Sequence, residues 1–373
     1  MKRHFKIGLF ILCIAFIISC AKKTPEDYML EANDLIKNKN IIGAKYKLKE
    51  AIKKFPDNPA ILPAYKLLSE CDASLGDYQE QRNSLQVIID KAGLKTQQGV
   101  EALADKVKSY EYEKKYDEAI KELEEAKKSM GADHPLIVSM QLKLAALYSK
   151  VENTKKTDEI FAQLKKDHSN EEETLLKITA SLGQYKQSQK DLKGEIDAYK
   201  YYIEKFPDNE KAALYKALIG KLYNELKDTT QSAKYFAESL AQFDKLIEKS
   251  LEADEKAMLL WFKSQAYDFQ KETEKAIDLC KQIVKEYKES PVSRQAIYFA
   301  IDMGLKNGKD DIIIKWLTEL RDEAKDPKEK ENYDKAITDI KNIRLKKDDK
   351  TTTKSADLKT TDTKTSDVVK KGK

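Results

Sequence analysis

Along most of this chain apolar residues recur three or four places apart, stop at a short polar turn, and resume in the same phase. The clearest stretch sets Tyr28, Ala32 and Leu35 on one helical face and Ala44, Leu48 and Ala51 on a second, with Pro56 at its end. Small residues alternate with large ones on both faces, so the two helices can approach closely, and the pattern predicts a helix-turn-helix unit. The phase returns seven more times. A second unit carries Tyr65, Leu68, Gly76, Tyr78, Leu85 and Ile88, a third Tyr110, Tyr116, Ala119, Leu123 and Ala126, and a fourth Leu144, Ala145, Tyr148, Phe161 and Leu164. Leu182, Gly183, Tyr199, Tyr202 and Pro207 make a fifth, and Ile219, Gly220, Tyr223, Ala233 and Leu240 a sixth. Tyr267, Ala276, Cys280 and Ile283 make a seventh, and Ala300, Gly308, Leu317 and Leu320 an eighth. After Pro327, the spacing of Tyr333, Ala336, Ile340 and Ile343 predicts one more helix, placed to cover the apolar face of the last unit.

The order of residues in the first unit resembles the tetratricopeptide repeat, and the resemblance runs from about residue 25 to 326. It implies an all-α fold: a right-handed α-solenoid of about eight helix-turn-helix repeats with a period near 34, closed by a capping helix at 327–345. A place usually aromatic, filled by Tyr110, Tyr148, Tyr223 and Tyr267, is taken elsewhere by Asp72, Lys186 and Gly304. In this family the first helix of each repeat lines a concave groove. The corresponding places near the carboxy-terminal end hold Lys221 and Asn224, then Trp261 and Gln265, then Tyr298 and Asp302, a candidate partner-binding set. Trp261 and Tyr298 admit two readings: an aromatic ladder facing a partner, or packing between repeats beside Phe262 and Phe299. The cationic set with which some repeats clamp a terminal carboxylate is not assembled in the first three units, which offer Met29 and Asn33, Lys66 and Glu70, and Ala104 and Lys108.

Composition narrows the chemistry. With 12 Gly and 8 Pro in 373 residues, the chain lacks the turn-formers of a β-sandwich or barrel. Three His leave few groups that titrate near neutrality, and none of the nucleotide-binding, zinc-protease, esterase or paired-cysteine motifs is present, so we expect no enzyme, no catalytic residues, no metal and no cofactor. His134 and His168 fall at the ends of successive repeats, too far apart to share a zinc ion. Glu122, Glu124 and Glu125 alternate with Lys121, Lys127 and Lys128, as on a solvated helix face.

The amino terminus speaks to place. Lys2, Arg3 and Lys6 precede an apolar run from Ile7 to Ile18, too short to span a bilayer and built like a secretory leader. Its end, Ile17-Ile18-Ser19-Cys20-Ala21, resembles the bacterial lipobox. That resemblance implies removal of residues 1–19 and a diacylglycerol with a further N-acyl chain on Cys20, followed by a short tether at 20–24. Ala21, where an Asp would retain the protein at the inner membrane, favours the periplasmic face of an outer membrane. Of the formal charge of +5, the leader holds +3 and residues 346–373 hold +4, from nine Lys and five Asp, which leaves the body at −2 and argues against a nucleic-acid partner. The 346–373 stretch, rich in Lys, Thr and Asp, is expected to be disordered. Cys71 and Cys280, several layers apart, are expected to be free thiols.

The expectation is a membrane-anchored repeat lipoprotein that holds envelope proteins or peptides in its groove and meets the lipid bilayer through Cys20, with no small-molecule substrate. Units ending in Lys54-Phe55-Pro56-Asp57 and Lys205-Phe206-Pro207-Asp208 resemble those of the outer-membrane β-barrel assembly lipoprotein (BamD-like) and of the repeat protein beside the Tol-Pal system. The alternative is a structural tether whose basic tail contacts peptidoglycan or another anionic surface.

Overall fold

The computed structural model describes residues 23–131 and 134–361, those after Leu345 by their backbone alone. The leader, Cys20 and residues 362–373 lie outside the described residues. Seventeen α-helices and one 3₁₀ turn, Pro59–Ile61, account for the regular structure among the described residues. In chain order they are α1 Pro25–Lys37, α2 Ile41–Lys54, α3 Leu62–Ser74, α4 Tyr78–Ala92, α5 Gln97–Tyr112, α6 Tyr116–Met130, α7 Ile137–Lys150 and α8 Thr154–Asp167. They continue with α9 Glu172–Ser188, α10 Leu192–Lys205, α11 Glu210–Glu225, α12 Thr229–Lys249, α13 Ala253–Phe269, α14 Thr273–Glu286, α15 Pro291–Lys306, α16 Asp310–Glu323 and α17 Pro327–Thr361. The fold is an all-α solenoid: sixteen helices pair into eight hairpins, and a seventeenth follows.

One device closes every hairpin. The residue after the first helix's cap takes a left-handed conformation, with φ between 58° and 74°, at Lys39, Gly76, Lys114, Glu152, Lys190, Lys227, Lys271 and Gly308. The next residue donates its backbone N–H to the carbonyl five places back: Asn40 to Leu35, Asp77 to Asp72, Lys115 to Tyr110, Asn153 to Tyr148, Asp191 to Lys186, Asp228 to Tyr223, Glu272 to Tyr267 and Lys309 to Gly304, all at 2.8–2.9 Å. This is the Schellman closure, which satisfies carbonyls that a helix end leaves open. The donor residue also caps the second helix. Asn40, Asn153, Asp191 and Asp228 accept N–H bonds from Gly43, Lys156, Gly194 and Gln231 at 2.9–3.1 Å. Asp72, Lys186 and Gly304, the three departures from the aromatic place, thus sit at the acceptor position of the same turn.

The turn residues are 37 or 38 apart except for one interval of 44, set by the 21-residue α12. The period therefore exceeds the expected 34. Every turn within a hairpin has three residues, so the additional length lies in the links between hairpins and in the helices themselves.

The chain divides into two compact units, Met1–Ser181 and Leu182–Lys373. In the first, each helix from α1 to α8 packs on the next. Its core is aliphatic, with Leu48, Ile61, Leu85, Ile88, Leu144, Leu147 and Leu164 wholly buried. In the second, α10 to α17 pack in succession, and α13 also lies against both α11 and α15. Tyr202, Phe236 and Phe243 are its largest wholly buried side chains. Two glycines here allow close approach: a Cβ on Gly220 would stand 3.0 Å from the Phe236 ring, and one on Gly304 2.4 Å from Ile313. Cys71 and Cys280 are buried and free.

Two expectations at the carboxy-terminal end change. Ile337 and Ile340 are buried against the core of α13–α16, while Ile343 is exposed. Helix α17 also runs on to Thr361, sixteen residues beyond Leu345, into the stretch expected to be disordered. No Pro or Gly stands between Pro327 and Gly372, and a helix already nucleated on a packed turn gains one bond for each residue added.

Candidate functional site

The six groove residues fall on α11, α13 and α15, first helices of successive hairpins in the second unit, and α13 packs on both of the others. Trp261 is only partly exposed and packs against two core clusters, one shared by α11, α12 and α13 and the other running on to α17. Its ring lies tilted beside Phe262, with centroids 5.3 Å apart. Tyr298 is 66% exposed, and among the described residues no ring contact joins it to Trp261. The two aromatics therefore part company: one wedges between helices and the other faces solvent.

The Nε1 of Trp261 and the Nε2 of Gln265 are removed from water and have no hydrogen-bond partner among the described residues. Asn224 and Asp302 are exposed, and Asp302 pairs with Lys306 one turn on. Lys221 sets its ammonium 5.7 Å from the Phe269 ring centroid.

Sequence reasoning missed Asp268, which stands among these charges. Burial, the largest influence, pushes its carboxyl above the ordinary range, and Asp302 adds to that; Lys306, Lys221 and a hydrogen bond with Asn307 pull it down. The carboxylate thus feels α11 on one side and α15 on the other. The signal was available, because 261, 265 and 268 follow i, i+4, i+7 on one face of α13. Lys211, also missed, lies 3.8 Å from the Phe262 centroid, and burial pushes its ammonium down.

Other candidates take structural posts. Lys66 pairs with Asp105 of α5. Glu122 accepts the Lys106 ammonium of α5 at 2.6 Å, and Glu124 accepts the Tyr148 hydroxyl of α7 at 3.2 Å, so two members of the acidic cluster bind neighbouring helices. His134 Nδ1 accepts from the Leu136 N–H at 3.2 Å, and His168 Nδ1 lies 2.9 Å from Glu171. Among the described residues no group of three His, Cys, Asp or Glu side chains is placed to hold a metal ion, and no helix is long and apolar enough to cross a membrane.

No family model matches the chain, and no curated protein matches it in sequence. Solved structures that it matches include two described as tetratricopeptide-repeat proteins. One, from Parabacteroides merdae, is 14% identical with a TM-score of 0.37, over 73% of this chain and 98% of that one. The carboxy-terminal part of a repeat protein from Cytophaga hutchinsonii is 12% identical with a TM-score of 0.38, over 72% and 98%. PilW, a type IV pilus biogenesis factor, is 13% identical with a TM-score of 0.32, over 64% and 100%.

Proposed function

We propose that this protein is a lipid-anchored scaffold of a bacterial envelope, exported, acylated at Cys20, and holding an extended segment of a partner protein along α11, α13 and α15. The observation that carries the reading is the face shared by those helices. Exposed Tyr298 and the part-buried Gln265 lie on these helices, and Lys221, Asp302 and Lys306 bring charges of both signs within reach of Asp268. A peptide offers backbone groups and side chains of both signs, which such a face can read; the extended surfaces of repeat proteins serve this purpose. The hydrophobic tether follows from Cys20, since two or three acyl chains hold a soluble body stably where one does not. Assembly of outer-membrane proteins is the process we assign first, from the resemblance of the Phe-Pro-Asp unit ends.

The test is a photo-crosslinking residue placed at Tyr298 in intact cells, with Tyr112, exposed in the first unit, as the control position. A defined partner should crosslink at 298 and not at 112, and should be lost in Gln265→Ala/Asp302→Ala. Equal crosslinking at both positions would reject the groove. Fatty-acid labelling that survives Cys20→Ser would reject the anchor.

A further inference from the structure

The three most exposed large apolar side chains described in the first unit, Ile42 at 73%, Tyr46 at 69% and Leu30 at 64%, all lie in its first hairpin. Two of them belong to one stripe. At 3.6 residues per turn, Ile42, Tyr46, Lys49 and Lys53 fall within about 60° of each other on α2, a band roughly 17 Å long. It faces away from Ala44, Leu48 and Ala51, which are wholly buried. No carboxylate falls in the stripe. Among the described residues, neither Lys49 nor Lys53 makes an ion pair; the cleft of about 280 Å³ that they overlook holds Glu80 and Asn83.

The position of the stripe in the chain matters as much as its chemistry. The last turns of α2 are held against the first turns of α1, where Tyr28 donates its hydroxyl to Glu50 at 3.3 Å, Glu50 takes Lys54 at 2.9 Å, and Lys47 reaches Glu31 at 3.4 Å. The Lys53 end of the stripe therefore adjoins the start of α1 at Pro25. Pro25 is only five places along the chain from Cys20, a reach of at most about 17 Å. Whatever Cys20 is fixed to lies within that distance.

From these observations we infer that the α2 stripe is a membrane-contact surface: Ile42 and Tyr46 enter the headgroup region of an anionic phospholipid bilayer while Lys49 and Lys53 meet its phosphates. The inference rests on acylation of Cys20, which supplies the short leash. The side chains are those that interfaces favour, an aliphatic residue, an amphipathic tyrosine and two lysines with long stems. Near an anionic surface each lysine multiplies occupancy by about fivefold. The leash removes most of the cost of bringing the stripe to the surface, so two apolar residues suffice where a free protein would need more. The body is then held with its first hairpin against the bilayer instead of swinging on a string.

The test uses the full lipidated protein, purified from membranes and reconstituted in vesicles of phosphatidylglycerol and phosphatidylethanolamine, with an environment-sensitive fluorophore on Tyr46→Cys and, in a second protein, on Ile42→Cys. Both positions are exposed, so the substitutions leave the core intact, and Cys71 and Cys280 are buried with thiols pushed up, Cys280 to about 12, which keeps them from labelling. We expect both probes to enter an apolar environment and to be quenched by nitroxide lipids, while the same probe on Tyr298→Cys stays in water. Lys49→Glu/Lys53→Glu should lower the ratio of buried to exposed probe by roughly 30-fold or more, with the protein still bound through its acyl chains. An acylated, vesicle-bound chain whose probes at 42 and 46 stay in water overturns the stripe and leaves the anchor standing. Probes shielded without vesicles, in proportion to protein concentration, would assign the stripe to a second copy of the chain and overturn the inference. A mass showing no acyl chains overturns the anchor, and this inference with it.

Discussion

In the unit ending at Ser181, the largest wholly buried side chains are aliphatic and are accompanied by buried charges at Asp72, Arg82 and Lys106; in the unit beginning at Leu182, Tyr202, Phe236 and Phe243 join the buried aliphatic residues, and Glu195 is the buried charge among the described residues. The hairpin is the same in both. In the first unit, polar pairs join consecutive helices. Asp72 accepts the Lys45 ammonium at 2.6 Å, Lys106 reaches Glu122 and Gln86 at 2.6 Å, and Arg82, 3% exposed, pairs with Glu113 while its guanidinium lies 4.4 Å from the Tyr110 centroid. In the second unit Tyr199 stacks on Tyr215 at 4.7 Å, and Tyr202 meets Tyr215 edge-on at 5.2 Å. Charge pairs add little net stability once desolvation is counted, but they penalise a wrong register, because an orphaned buried charge is costly. Aromatic rings bury more apolar area and tolerate small shifts. The same repeat can thus be held by specificity in one place and by burial in another.

The contrast can be broken from either side. The largest effect is expected at Phe243→Ala, which removes a wholly buried ring and should cost about 3–5 kcal/mol in chemical denaturation. Hydrogen exchange should show the loss around α11–α13, because each repeat depends on its neighbours. Next comes Glu113→Ala, which leaves Arg82 buried with only Gln79 and Ser109 as hydrogen-bond partners among the described residues. It should cost about 2–3 kcal/mol, with exchange rising in α4–α6 and unchanged in α13–α16; a uniform rise across the chain would show that the pair is not local.

Glu195 sharpens the comparison through pH. Burial, its largest influence, and then Glu225 push its carboxyl up, against the Tyr199 hydroxyl and Lys221, and its Oε2 has no partner among the described residues. A carboxyl whose folded value is raised gives stability that is fully present below the ordinary Glu value and is lost as pH rises through the folded value. Glu195→Gln should therefore match the wild type near pH 4 and exceed it by about 1–2 kcal/mol at pH 7, in melting curves taken across that window. A gap that does not change with pH would mean that the carboxyl stays ionised throughout. The smallest change is in the turns. Lys114→Gly should stabilise by about 1 kcal/mol, and Gly76→Ala should cost a similar amount, because both positions hold a left-handed backbone.

How much could be read in advance differs by feature. All eight hairpins and the helix that follows them were legible, since apolar spacing and capping are set within a few residues of each other. The left-handed turn was legible only at Gly76 and Gly308; at Lys39, Lys114, Glu152, Lys190, Lys227 and Lys271 a charged residue occupies the conformation and nothing in the local sequence announces it. In the candidate site, the spacing rule placed Lys221, Gln265 and Asp302 on neighbouring helices but stopped a turn short of Asp268. It also could not say that Trp261 would be wedged between two core clusters while Tyr298 stayed in water.

The sequence by itself determined the order of the hairpins and which face of each helix is apolar, because those properties arise from near neighbours and from the fixed geometry of 3.6 residues per turn. The tertiary structure alone decided which apolar faces find a cover. Ile337 is buried and Ile343 is not, Arg82 is enclosed with Glu113, and Ile42 and Tyr46 are left open on the first hairpin. Burial and pairing depend on what another helix, dozens of residues away, brings to the same place.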